Sequence, residues 1–98
     1  MPTPKLTGAE IHAALETLPA WSVQDAKLHR EYRFADFVHA FAFMTAAALE
    51  IEKLNHHPEW FNVWNRVAVA LTTHDAGGIT AKDVELARIL DRLASKLS

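Results

Sequence analysis

The chain has 98 residues, the size of one domain with a modest core, and we treat residues 1–98 as a single domain. Its net charge of -2, without a cluster of lysine or arginine, gives little electrostatic support for direct nucleic-acid binding. The lack of cysteine excludes disulfides, thiolate zinc sites and thiol catalysis. The N-terminal segment lacks the apolar run of a signal peptide, and no apolar stretch has the length of a membrane span. We therefore expect a cytoplasmic protein that does not enter a membrane.

The first third of the chain is predicted to be a helix followed by a β-hairpin. Thr7 and Glu10 have the spacing of a capping box, in which a hydroxyl and a carboxylate each accept a backbone N–H at the start of a helix. Apolar residues then recur at helical spacing until Pro19, which ends the helix. Residues 21–23 and 28–34 are predicted to be two short strands joined by a turn.

The central helix is predicted to run from residue 37 to about residue 54, with Asp36 as its N-cap. One apolar stripe consists of Phe37, Phe41, Met44, Ala48 and Ile51. Most of the remaining circumference is also apolar, through Val38, Ala42, Phe43, Ala46, Ala47 and Leu49. A helix that covers one sheet needs only one such stripe, so the excess favours a second buried face against another copy of the protein. The alternative is an alanine-rich helix with high intrinsic propensity.

A second hairpin and a last helix follow. Residues 60–64 and 67–73 are predicted strands, since large and small residues alternate in the second of them, and residues 65–66 are the predicted turn. Thr80 and Asp83 have the spacing of another capping box, which predicts a helix that continues almost to the last residue.

This order of elements predicts an α+β fold with two layers. Two hairpins separated by a long helix favour a four-stranded antiparallel sheet with three helices on one face, in the order α-β-β-α-β-β-α. We expect the chain to contact another copy of itself, either through central helix 37–54 or through an outer edge of the sheet.

Three of the six histidines are the most informative residues of the chain. His56 and His57 are adjacent and precede a Pro-Glu-Trp-Phe run, and His74 follows in the sequence Thr-Thr-His-Asp. Histidine can donate and accept protons near neutral pH. A cluster of histidines beside aromatic residues is typical of proton transfer on a flat ligand. We interpret the remaining histidines as surface or hydrogen-bonded residues: His12, His29 and His39.

The local sequence suggests how these imidazoles are arranged. Pro58 favours an extended conformation at His57, so His56 and His57 are expected to point to opposite sides and to border one wide pocket at most. If Trp64 pairs with Val67 around a two-residue turn, counting outward along both strands places His57 opposite His74. The same count pairs Phe61 with Ala70 and Glu59 with Thr72.

Acidic and aromatic residues near the histidines have two interpretations each. Glu52 lies four residues before His56 and either orients that imidazole or is a solvated carboxylate at the helix end. Asp83 either contributes to the site or only completes the capping box. Trp21 is either a ligand contact or a core residue. A metal site would need converging nitrogens and a further ligand, and the spacing matches known ligand patterns poorly, so we predict no metal.

Several segments resemble pterin-4a-carbinolamine dehydratases. The residues that carry the resemblance are Glu-Lys-Leu-Asn-His-His-Pro-Glu-Trp-Phe-Asn-Val at 52–63 and Thr-Thr-His-Asp at 72–75. Residues 34–37, 41–44 and 80–83 are also similar to that family. The similarity extends from about residue 18 to residue 94. Animal members commonly have Asp before the histidine pair and Arg before the later Asp, where this chain has Asn55 and Lys82.

The resemblance implies dehydration of 4a-hydroxytetrahydropterin to the quinonoid dihydropterin, a step that recycles the tetrahydrobiopterin cofactor after aromatic amino-acid hydroxylation. It implies that the pterin is the substrate and that no further cofactor is needed. It also implies a homodimer or a homotetramer, with the long central helices packed together in the tetramer. The predicted catalytic residues are His56, His57 and His74, with His57 and His74 beside the departing hydroxyl. The predicted substrate-binding residues are Glu52, Asp83 and Trp21.

Two other functions remain open from the sequence. Some animal members of the family also bind a transcription factor as a dimerisation cofactor, and here that role would use the apolar central helix. A metal-binding domain is the third interpretation.

Overall fold

The computed structural model describes residues 3–98, and these residues form a two-layer α+β domain. The elements are α1 (Gly8–Glu16), β1 (Ser22–Gln24), β2 (Lys27–Arg33), α2 (Phe37–Leu54), β3 (Glu59–Val63), β4 (Arg66–Leu71), a 3-10 turn (His74–Ala76) and α3 (Ala81–Leu97). The strands form one antiparallel sheet in the order β1-β2-β4-β3. The predicted fold class is confirmed.

The core lies between the helices and the inner face of this sheet. Along β4, residues alternate between fully buried and partly exposed, so every second side chain of this strand points into the core. The inner face of the sheet contributes Leu28, Tyr32, Val67, Val69 and Leu71, all at most 2% exposed. The helices contribute Ala40, Phe43, Ala47, Ile51, Val84, Leu86, Ala87, Leu90 and Ala94. None of the helices formed by residues 3–98 has the length and apolar content that a membrane span requires.

The three predicted helix starts are confirmed. Thr7 and Thr80 each cap a helix through a complete capping box, with Glu10 and Asp83 as the reciprocal carboxylates. Asp36 accepts the backbone N–H of His39 at 2.8 Å. This backbone hydrogen bond holds the pKa of Asp36 below its usual value of 3.8, because it stabilises the carboxylate.

Helix α2 buries one face and leaves a second apolar face open. The buried residues of α2 are Ala40, Phe43, Ala47 and Ile51. Among the described residues of the apolar stripe predicted from the sequence, Ile51 alone belongs to this buried set. Large apolar side chains on the other side are 46% to 71% exposed: Phe37, Val38, Phe41 and Leu49. The predicted excess of apolar surface is therefore present in the folded chain.

The predicted turn of the second hairpin is wrong by one residue. The two residues between the strands are Trp64 and Asn65, and Val63 pairs with Arg66. Asn65 is held by Phe34, since the Asn65 amide donates to the Phe34 carbonyl at 3.0 Å and the Phe34 N–H donates to the Asn65 carbonyl at 2.9 Å. This contact keeps Asn65 in the turn and leaves Arg66 to begin β4.

The corrected turn moves the pairing of the two strands by two positions. Phe61 pairs with Ala68 and Glu59 pairs with Ala70, so the predicted pairings of Phe61 with Ala70 and of Glu59 with Thr72 are wrong. The predicted pairing of His57 with His74 is wrong for the same reason. β3 begins only at Glu59, after His57, and His74 lies in the 3-10 turn beyond β4.

Candidate active site

The three predicted catalytic histidines line one cavity of about 270 Å³. It lies where the segment after α2, the end of β4 and the start of α3 meet. The lining residues are Asn55, His56, His57, Thr72, Thr73, His74, Asp75 and Lys82. We call this space the histidine cavity. The imidazoles are thus brought together by tertiary packing, although the strand pairing predicted to do so does not occur.

The end of α2 directs His56 and His57 into this region. Asn55 adopts a left-handed conformation with φ of 51° and ends the helix. The backbone N–H of His56 still donates to the carbonyl of Ile51, at 3.4 Å. The chain therefore changes direction within one residue, and His56 reaches α3 whereas His57 stays beside the end of α2.

His56 is held by the buried carboxylate of Asp83. Its Nε2 lies 2.6 Å from Asp83 Oδ1, and the side chains are 11% and 0% exposed. The other oxygen, Oδ2, accepts the backbone N–H of Thr80 at 2.8 Å and the hydroxyl of Thr73 at 2.9 Å. Asp83 therefore completes the helix cap and also contacts His56, but it has no exposed surface and is not among the residues that line the cavity.

This contact determines which nitrogen of His56 carries a proton. A carboxylate only accepts hydrogen bonds, so His56 Nε2 donates to Asp83 and Nδ1 is the atom that can exchange a proton with a ligand. His56 is consequently a rigid imidazole with a defined orientation.

Glu52 contacts His57, and the predicted contact between Glu52 and His56 is wrong. His57 Nε2 lies 2.8 Å from Glu52 Oε1, with side chains 56% and 77% exposed. The prediction assumed that the helix continues to His56, whereas α2 ends at Leu54. Because both groups are largely exposed, this pair is weak and screened by solvent.

His74 is presented by a tight loop at the end of β4. The Thr73 N–H donates to the carbonyl of Gly78 at 2.9 Å, which closes the loop on itself. Gly77 has φ of 73°, a conformation that favours glycine. His74 is exposed on this loop and lines the histidine cavity.

The predicted substrate contact of Trp21 is not supported by its position. Trp21 is 5% exposed and belongs to the core, and its indole N–H donates to Asp91 at 2.9 Å. The aromatic residues of the second hairpin also lie outside the cavity lining. Trp60 packs against the core, whereas Phe61 and Trp64 are 66% and 64% exposed.

Sequence reasoning missed three polar residues that line the cavity. Thr72, Thr73 and Asp75 flank His74 on both sides, and only their adjacency to that histidine could have indicated them. Within residues 3–98, no group of three or more His, Asp or Glu side chains is arranged to hold a metal ion.

Comparison with known proteins identifies the family. A sequence model of pterin 4 alpha carbinolamine dehydratase matches residues 4–93, nearly the whole chain. This chain belongs to the pterin-4a-carbinolamine dehydratase family. A family relative from Solibacter usitatus (strain Ellin6076), provisionally named pterin-4-alpha-carbinolamine dehydratase, is 64% identical over 93 residues, covering 95% of this chain and 98% of its own length.

Two further proteins show the breadth of the family. A relative from Burkholderia multivorans with the same provisional name is 52% identical over 93 residues, covering 93% of this chain and 91% of its own length. A crystal structure from Brucella melitensis, described as a transcriptional coactivator/pterin dehydratase, superposes with a TM-score of 0.89 at 46% identity. That match covers 92% of this chain and 98% of the Brucella chain.

Proposed function

We propose that this chain dehydrates a pterin-4a-carbinolamine to the quinonoid dihydropterin and water, with histidines as general acid and base. The observation that carries the proposal is the convergence of His56, His57 and His74 on one cavity in a member of this family. Such a reaction would return the oxidised pterin to a recycling pathway for tetrahydrobiopterin. The pterin is the substrate, and the proposed chemistry uses no metal and no second cofactor.

The proposed reaction needs two proton transfers. The bond between carbon C4a and the hydroxyl oxygen breaks, and a general acid protonates that oxygen so that it leaves as water. The proton on nitrogen N5 passes to a base, and the electron pair of that bond forms the new carbon–nitrogen double bond. Each transfer assisted by a positioned side chain is typically worth about 10²–10⁴-fold in rate.

We assign the hydroxyl side of the substrate to His57 and His74. Both side chains are exposed and border the cavity, so they can approach a bound ligand and exchange protons with solvent between turnovers. His56 is held against Asp83 and serves the other proton or the opposite stereoisomer. Asp83 is a positioning residue in this scheme, because it acts through His56.

The test is turnover of chemically prepared carbinolamine, measured above the uncatalysed rate. His57→Ala and His74→Ala are each expected to lower kcat by about 10²-fold or more, since each removes one proton-transfer group. His12→Ala is the control, because His12 is an exposed histidine on α1, outside the cavity lining. Full activity in both site variants would refute the assignment.

A second candidate function is protein binding through α2. It is favoured by the exposed apolar face of that helix, which includes Val38 at 71% and Leu49 at 67% exposure. The Brucella relative, described in part as a transcriptional coactivator, supports the same candidate. Capture of a partner by the unmodified protein but not by Val38→Glu, with equal turnover by both, would favour binding as an additional function.

A further inference from the structure

Thr73 borders the histidine cavity, but its hydroxyl is bonded to groups inside the protein. The residue is 8% exposed and immediately precedes His74. Its Oγ1 lies 2.9 Å from Asp83 Oδ2 and 2.7 Å from the hydroxyl oxygen of Thr80, and both of those residues are fully buried. The chemistry proposed above gives this hydroxyl no role, although it lies one residue from a proposed catalytic histidine.

The hydrogen bonds around this hydroxyl have a defined direction. A carboxylate only accepts hydrogen bonds, so the single O–H of Thr73 donates to Asp83. The Thr80 hydroxyl must then be the donor between the two threonines, while its oxygen accepts the backbone N–H of Lys82 at 3.2 Å. The result is a directed chain from Thr80 through Thr73 to Asp83, and His56 donates to the other carboxylate oxygen.

This arrangement leaves the Thr73 hydroxyl without a proton to give to a ligand. A hydroxyl has one O–H donor, and here that donor is used by Asp83. Together with the backbone N–H of Thr80, the Thr73 hydroxyl holds Oδ2 and so fixes the plane of the carboxylate. The position of Oδ1, which accepts from His56 at 2.6 Å, is fixed with it. Thr73 therefore acts on the site through Asp83.

The loop that presents His74 does not need the Thr73 side chain. It is closed by backbone hydrogen bonds, because the Thr73 N–H donates to the Gly78 carbonyl at 2.9 Å. The Thr73 carbonyl in turn accepts the N–H of Gly77 at 3.0 Å and that of Gly78 at 3.3 Å. A substitution that changes only the Thr73 side chain leaves these bonds in place, so its effect on the site should pass through His56.

We propose that Thr73 is a positioning residue, which fixes the imidazole of His56 through Asp83 in the orientation that proton transfer requires. This inference rests on the proposed dehydratase function. A catalytic group that is misplaced by about 1 Å can lose about 10²-fold in rate, so the anchor of such a group matters although it never touches the substrate. Buried networks of this kind hold one arrangement only when every member is satisfied.

The first test is turnover of the carbinolamine. Thr73→Val keeps the shape of the side chain and removes the hydroxyl. We expect it to lower kcat about 10-fold and to change KM less than about 2-fold, because it displaces a catalytic group but keeps the shape of the cavity. Thr73→Ser retains the hydroxyl and is expected to keep kcat within about 2-fold of the unmodified protein.

Thr17→Val is the matched control. The Thr17 hydroxyl also has two partners, since it donates to the Ala14 carbonyl at 2.8 Å and accepts from Arg88 at 3.0 Å. Thr17 caps the end of α1, outside the lining of the cavity, so loss of its hydroxyl should leave kcat unchanged.

A double variant shows whether the effect passes through His56. In the His56→Ala protein, Thr73→Val is expected to change kcat by less than about 2-fold, because the imidazole that the network holds is absent. An equal loss of kcat with and without His56 would overturn the assignment.

A spectroscopic measurement needs no turnover. The Nε2–H of His56 is bonded to Asp83 and its side chain is 11% exposed, so exchange of this proton with water is expected to be slow in NMR spectra. Thr73→Val should accelerate the exchange about 5-fold or more, the effect of about one lost hydrogen bond, and Thr73→Ser should not. Thr73→Ala is measured in parallel, because it removes the hydroxyl without placing a methyl group against the carboxylate.

Unchanged exchange in both variants that lack the hydroxyl would overturn the role of Thr73, even if they unfold at a lower temperature. Absence of turnover by the unmodified protein would instead overturn the dehydratase proposal, and the catalytic purpose of this network with it.

Discussion

Asp83 has no exposed surface, and both of its carboxylate oxygens accept hydrogen bonds from different parts of the chain. One oxygen meets His56, and the other meets the helix cap at Thr80 and the hydroxyl of Thr73, the neighbour of His74. A single buried residue therefore links two of the three histidine segments to the start of α3. Its removal would leave several buried donors without an acceptor, which is costly in free energy.

Asp91 has a similar role at a second place, remote from the histidine cavity. Its Oδ1 accepts from the Trp21 indole, from Arg30 at 2.7 Å and from the Tyr32 hydroxyl. Burial, reinforced by the hydrogen bond to Asp91, raises the pKa of Tyr32 well above its usual value of 10.0. The phenol therefore remains protonated in the folded protein and continues to donate.

Replacing Asp91 is expected to destabilise the fold without a direct effect on the site. Asp91→Ala removes the shared acceptor of three donors, and we expect a loss of about 2–3 kcal/mol in the free energy of unfolding. Urea denaturation followed by fluorescence measures this loss. Glu85→Ala is the control on the same helix, since Glu85 is exposed and its loss should change stability by about 0.5 kcal/mol or less. Equal midpoints for the two variants would contradict the prediction.

Among the elements, the first hairpin has an alanine in a strained backbone conformation at its turn, and replacement of that alanine by glycine should relieve the strain. Its turn residues Asp25 and Ala26 have φ of 52° and 61°, in the left-handed region. Gln24 pairs with Lys27 across this two-residue turn, the geometry for which Asp-Gly is the preferred sequence. Alanine in this conformation is disfavoured relative to glycine because its Cβ approaches the following carbonyl oxygen.

Ala26→Gly is therefore expected to stabilise the protein by about 1 kcal/mol, measured as an increase in the urea midpoint at constant slope. Ala35→Gly serves for comparison, because Ala35 is exposed and does not have a positive φ. That change should be neutral or destabilising, since glycine has more freedom to lose on folding. A destabilising effect of Ala26→Gly as large as that of Ala35→Gly would show that the turn is not strained.

For the molecule as a whole, the open face of α2 raises the question of assembly. Phe37 and Phe41 pack against each other with ring centroids 5.6 Å apart, yet they are 46% and 53% exposed. Exposed apolar patches of this kind commonly mark contact surfaces, and a symmetric dimer can use the same patch on both subunits. We propose that α2 packs against a second copy of the chain.

Phe41→Glu is expected to lower the mass of the particle in sedimentation experiments, because it places a carboxylate in the proposed contact. Val63→Glu tests the alternative contact at the edge strand β3, where Val63 is 43% exposed. Ala13→Glu on the exposed side of α1 is the neutral control. A monomeric unmodified protein at all concentrations, or an assembly broken by Val63→Glu alone, would contradict a contact through α2.

The sequence by itself determined the features that depend on neighbours a few residues apart. The capping boxes at Thr7 and Thr80, the N-cap at Asp36 and the order of helices and strands follow from hydrogen bonds and side-chain periods within one or two turns of chain. The predicted histidine set also came from the sequence, from the clustering of these residues beside aromatic side chains and from the resemblance to a family to which the chain belongs.

Only the tertiary structure decided which groups meet across the chain. The second hairpin takes its register from the contact of Asn65 with Phe34, 31 residues earlier. Asp83 contacts His56 although it lies 27 residues later in sequence. Helix spacing instead predicted a contact of His56 with Glu52, which lies only four residues before it. Contacts of this kind depend on how α2, α3 and the sheet pack together, and no local period of the sequence encodes that arrangement.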